Sequence, residues 1–175
     1  EDRDWDVPIV IGGGPCTYNP EPIAPFFDLF YIGEGEIVYF DLLDLYQKAR
    51  KEGWSRREFL LEAGKIPGIY APSLYTVTYK EDGTIESFVP MDISLPTTIE
   101  KQVVMEMSDT YYPTAPVVPF IKATQDRVVL EIQRGCIRGC RFCQAGMIYR
   151  PLRERSLDFL KQRALAMLDA TGDEI

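Results

Sequence analysis

The residues most able to do chemistry are four cysteines, Cys16, Cys136, Cys140 and Cys143. Three of them lie within eight residues, spaced C-x3-C-x2-C, so their thiolates can converge on one metal centre. A closed structural zinc site takes four protein ligands, and an electron-carrying iron–sulfur cluster takes four cysteines. The spare thiol, Cys16, sits far away in a different predicted unit. Three sulfurs alone would leave one iron of a four-iron cluster open to a small molecule. A zinc or electron-transfer module is the alternative reading. The chain has no histidine, which excludes histidine metal sites, Ser-His-Asp and Cys-His nucleophile pairs, and a histidine general base. No catalytic side chain can be named from the sequence.

The cysteine loop is strongly basic. Arg134, Arg138, Arg141, Arg150, Arg153 and Arg155 face one acid, Glu154, between residues 134 and 155. That is a net +5 inside a chain of net charge −8. Guanidinium groups suit anionic sulfurs and carboxylates and tune a cluster's potential. The bland reading is that individual arginines are solvated or pair with acids elsewhere. The acidic balance of the whole chain argues against bulk binding to nucleic acid or anionic lipid.

The elements that must position this loop follow from periodicity. The chain has 175 residues, 46% hydrophobic and 26% charged, an ordinary globular composition. No apolar run approaches the roughly 20 residues of a membrane span, and clustered rather than scattered cysteines suit a cytoplasmic redox environment. Residues 7–11 and 28–32 read as buried strands that run into GGG and GEGE loops. A helix is expected from Glu36 to Lys51, with Ile37, Phe40, Leu43 and Tyr46 as its apolar positions. Ser55 should cap a second helix that ends at Gly64. Residues 69–79 and 84–90 alternate about Asp82-Gly83, a β-hairpin pattern. Residues 91–125 read as a connector with a short strand near Val117 and Val118.

Residues 128–132 (VVLEI) should form the strand that feeds the cysteine loop. Ser156 then starts a helix with Leu157, Leu160, Ala164, Leu165 and Leu168 toward a core, stopped by Gly172. A further strand is expected from Asp173. The ends, EDRDWDVP and TGDEI, suggest a central piece of a longer polypeptide.

The strand, the C-x3-C-x2-C spacing and the aromatic Phe142 before the third cysteine resemble the radical S-adenosylmethionine (radical SAM) superfamily. The resemblance implies that Cys136, Cys140 and Cys143 hold a [4Fe–4S] cluster and that Phe142 lies near the adenine of SAM. It implies reductive cleavage of SAM to start radical chemistry, and an electron donor such as flavodoxin or ferredoxin. Methylation, methylthiolation, sulfur insertion and rearrangement all share this loop. The first 50 or so residues resemble the end of the cobalamin-binding-type domain found before the barrel in many such proteins. That domain's cobalt-ligating histidine would lie upstream of Glu1, so the visible residues give cobalamin no support.

The expected class is therefore α/β: the tail of a Rossmann-like open sheet (1–53), a connector with a helix and β-hairpin (54–126), then the first strand and helix of a partial β/α barrel (127–175). Glu34 and Glu36 read as helix caps and compensators of a helix dipole, and Cys16 as a free thiol. The later strands of the barrel, with their SAM and substrate contacts, would lie beyond Ile175, so this fragment should not catalyse alone.

Overall fold

The computed structural model describes residues 4–108, 110–117, 120–121 and 127–172. The chain forms two compact units, residues 1–104 and 105–175. The class is α/β, built from small sheets and few helices.

In the first unit, β1 (Ile11–Gly12) pairs in parallel with β2 (Leu29–Tyr31), and β2 pairs antiparallel with β3 (Ile69–Tyr70). The strand expected over 7–11 is thus reduced to two residues. Helix α1 (Tyr39–Glu52) ends at Gly53, and α2 (Arg56–Ala63) follows. Ser55 and Glu58 form a reciprocal capping box at the start of α2, satisfying orphan N–H groups that a helix otherwise exposes. Strands β4 (Tyr75–Tyr79) and β5 (Ile85–Pro90) make the hairpin. Its turn is held by the Asp82 carboxylate, which accepts from Thr84 N–H and Oγ1–H.

The apolar positions read from the sequence are not the ones that α1 buries. Ile37, Phe40, Leu43 and Tyr46 are all exposed, and Leu42 and Ala49 are the buried positions. Val38, Tyr39 and Leu45 pack partly against the same core. Both stripes are apolar, and packing on Leu29, Phe30, Phe59 and Ala63 selects the second.

A buried ion pair that sequence reasoning did not anticipate straps the N-terminal segment to this core. Arg56 Nη2 donates to Asp28 Oδ2 at 2.8 Å and to Pro8 O at 3.0 Å. Its Nη1 donates to Asp4 O and Val7 O, both at 2.8 Å. The Asp28 carboxylate also accepts from Val10 N–H at 2.7 Å.

The second unit holds β6 (Gln133–Arg134), α3 (Ala145–Ile148), β7 (Arg153–Glu154) and α4 (Leu157–Thr171). Among the described residues, the strand expected over 128–132 makes no ladder. Instead the Tyr112 hydroxyl donates to Val129 O at 3.0 Å and accepts from Glu131 N–H at 2.7 Å. A side chain there does the work of a neighbouring strand. Ser156 caps α4, as its Oγ accepts from Phe159 N–H. Within α4, Leu157 and Leu165 are exposed and Met167 is buried, which corrects the expected inward set. Val118 and the strand expected from Asp173 lie outside the described residues.

Candidate metal centre

The cysteine loop hangs from a closed base. Its two feet pair antiparallel, Gln133 with Glu154 and Arg134 with Arg153. Arg155 N–H donates to Ile132 O at 3.0 Å. Gly135 follows at φ +83°, where a Cβ would stand 2.3 Å from Pro151 O and 2.5 Å from Tyr149 O. Only glycine fits a left-handed position pressed that closely against backbone.

Beyond the base, Cys140 to Cys143 form a turn closed by Cys143 N–H to Cys140 O at 3.1 Å. Arg138 N–H lies 3.4 Å from Cys136 Sγ, which accepts it. A Cβ on Gly146, in α3, would stand 3.8 Å from Cys143 Sγ, so α3 packs close beneath that sulfur. All three cysteines are free thiols; Cys140 is exposed and the other two are half-buried. Phe142 projects into solvent at 92% exposure. Cys16 is a free, exposed thiol in the first unit.

The donor set suits an iron–sulfur centre, with three thiols on one short loop and no histidine or disulfide competing. Among the described residues, no three Cys, Asp or Glu side chains are already gathered at metal-binding distance. Loop closure and metal uptake would therefore be one event, as is usual where the ligand set is not preassembled.

The arginines divide by role. Arg134 and Arg155 both pair with Glu131, a residue outside the basic run that sequence reading passed over. Arg134 Nε and Nη2 reach Glu131 Oε1 and Oε2 at 2.8 and 3.1 Å. Arg155 Nη2 reaches Oε2 at 2.8 Å, while its Nη1 donates to Met107 O at 2.6 Å. The Arg155 guanidinium also lies over Tyr112 and Phe159, at 4.9 and 5.0 Å from their ring centres. Burial pushes the Glu131 carboxyl up, but hydrogen bonds and charge from the two arginines outweigh it and hold it below its ordinary range. Arg153 is buried on Pro151 O and Tyr149 O, and Arg150 donates to Arg138 O. Arg138 and Arg141 are the exposed cations among the cysteines.

In the GEGE loop, Gly33 serves the packing of the first unit. Gly33, at φ +124°, bridges to Gln102, whose backbone oxygen would lie 2.2 Å from an added Cβ. The Glu34 carboxylate accepts from Val104 N–H at 2.7 Å, so it ties down this segment; α1 has no side-chain cap. A cavity of about 570 Å³ opens instead beside Phe27 and Asp28, at the amino end of β2, and is lined also by Glu21, Arg57, Tyr70 and Tyr79. Both oxygens of Glu21 accept tyrosine hydroxyls, Tyr70 on one and Tyr79 on the other. Burial, then that contact, raises the Tyr70 phenol far above its ordinary value.

Residues 1–72 match a family model described as radical SAM proteins, N-terminal. An uncharacterized protein of Methanocaldococcus jannaschii is 33% identical over 155 residues, covering 87% of this chain and 27% of the relative. An uncharacterized methyltransferase of Pyrococcus horikoshii is 24% identical over 145 residues, covering 79% of this chain and 25% of the relative. The chain spans about a quarter of the length of these curated relatives. No solved structure matches. The family match and the methyltransferase relative support a relationship to the radical SAM superfamily. No described helix is long and apolar enough to cross a membrane.

Proposed function

We propose that this chain carries the cluster loop of a radical SAM enzyme. In this reading Cys136, Cys140 and Cys143 ligate a [4Fe–4S] cluster. The reading rests on one observation above all: three free thiols on a single loop whose feet are already tied together by β6 and β7. When bound, such a cluster supplies the electron that splits SAM into methionine and a carbon radical able to attack a substrate C–H bond.

The chain's own residues do the holding. The three thiols would bind iron, and two of them bracket the turn closed by Cys143 N–H on Cys140 O. Phe142, exposed beside the third thiol, would lie near the adenine of SAM. Arg138 and Arg141 stand where cluster and carboxylate charge would need compensation. Residues 1–53 are read as the end of a Rossmann-like, cobalamin-binding-type domain, 54–126 as a connector and 127–175 as the opening of a β/α barrel. Reduction would come from a flavodoxin- or ferredoxin-like donor in the cytoplasm. The printed name of the Pyrococcus relative makes methyl transfer the first reaction class to test.

Iron and acid-labile sulfide analysis after anaerobic reconstitution tests the assignment. About four irons per chain with matching sulfide is expected for a three-cysteine site of this type. One zinc without sulfide would instead assign a structural metal module.

A further inference from the structure

Building on the radical SAM reading, we propose that Glu131 is a positioning residue, which with Arg134 and Arg155 fixes both feet of the cysteine loop for cluster uptake. Glu131 immediately precedes the loop, Arg134 lies on its incoming foot two residues before Cys136, and Arg155 follows its outgoing foot. One carboxylate serves both cations. It grips Arg134 through a two-point fork at 2.8 and 3.1 Å, which fixes the guanidinium's rotation as well as its distance. It holds Arg155 at 2.8 Å. Arg155 is itself anchored, with its side chain 1% exposed and its second nitrogen on Met107 O.

The ladder between the feet has only two residue pairs. A two-stranded ribbon that short has little stability of its own, so the ionic clamp above it sets the spacing of the feet. The clamp also has an electrostatic consequence. Thiolates that take up iron attract any mobile cation nearby. Arg134 is the arginine nearest Cys136 on the incoming foot, and Glu131 keeps its guanidinium engaged at the base. Arg138, Arg141 and Arg150 are the loop's exposed cations.

The test compares Glu131→Gln with wild type in the full polypeptide. Glutamine keeps the shape and one acceptor but removes the charge that binds two guanidinium groups. Three quantities are read: the melting temperature of the cluster-free protein, the rate of cluster loss to an iron chelator, and the cluster's reduction potential. Losing a charge-assisted hydrogen bond should speed cluster loss by roughly tenfold, at a melting temperature modestly below wild type. The potential should rise, because a negative charge beside the site is gone. A wild-type loss rate and potential in this variant would overturn the positioning role.

Should Glu131→Gln fail to fold, Arg134→Lys decides, since it leaves the Glu131–Arg155 pair intact and removes only the fork. Faster cluster loss supports the role, and a wild-type rate refutes it. Wild-type protein that takes up no iron overturns the radical SAM reading and this proposal together. A wild type that loads, beside variants indistinguishable from it, overturns the positioning role alone.

Discussion

Replacing Arg56 with alanine should come close to unfolding the first unit. The side chain is 5% exposed and the Asp28 carboxylate it binds is 8% exposed. Four hydrogen bonds, at 2.8 to 3.0 Å, reach Asp4, Val7, Pro8 and Asp28. Truncation leaves a buried carboxylate without its guanidinium and releases three backbone carbonyls of the N-terminal segment. Breaking a buried pair from one side costs about 3–5 kcal/mol. That is a large share of the roughly 5–15 kcal/mol that stabilises an ordinary domain.

Both tryptophans lie in this unit, and Trp5 Nε1 donates to Trp54 O, so fluorescence reports its unfolding directly. Taking about 4 kcal/mol and a urea slope of about 2 kcal/mol/M, the midpoint should fall by about 2 M. Exposed Arg57, its neighbour in sequence, is the control, and Arg57→Ala should move stability by no more than about 0.5 kcal/mol. A midpoint shift in Arg56→Ala as small as that of the control would refute the strap.

Glu131 predicts an acid limb for the second unit. Its folded carboxyl lies below the ordinary 4.5, so its contribution is complete above that value and is lost as pH falls through the lower folded value. The stability difference between wild type and Glu131→Gln, followed by circular dichroism, should shrink as pH drops below about 4.5; a constant difference would contradict the sign. Gly135→Ala should open the loop base, since the new Cβ meets two backbone oxygens at a positive φ. Strain of that kind costs on the order of 1–3 kcal/mol, and trypsin should cut faster at Arg138 and Arg141. Alanine at Cys136, Cys140 or Cys143 should each abolish iron retention, whereas Cys16→Ala should leave it unchanged in the same iron assay.

Local rules carried the sequence reading furthest. Ser55 and Ser156 cap their helices, and Asp82-Gly83 turns the hairpin, because each depends on neighbours within a few residues. The loop's glycines and cysteines were visible for the same reason. The inward face of α1 was not, because the stripe through Ile37 and Phe40 is as apolar as the one through Leu42 and Ala49. Only packing partners distant in sequence separate them. The two arginine clamps were hidden similarly, since Asp28 and Arg56 are 28 residues apart and Glu131 and Arg155 are 24 apart. The strand expected at 128–132 failed because a tyrosine hydroxyl from residue 112 satisfies the backbone there. Periodicity carries no trace of such a partner.

The most direct measurement is product formation by the full polypeptide under anaerobic conditions with dithionite and SAM. The account predicts 5′-deoxyadenosine and methionine from wild type and neither from Cys140→Ala. Fully loaded protein that leaves SAM intact would contradict it.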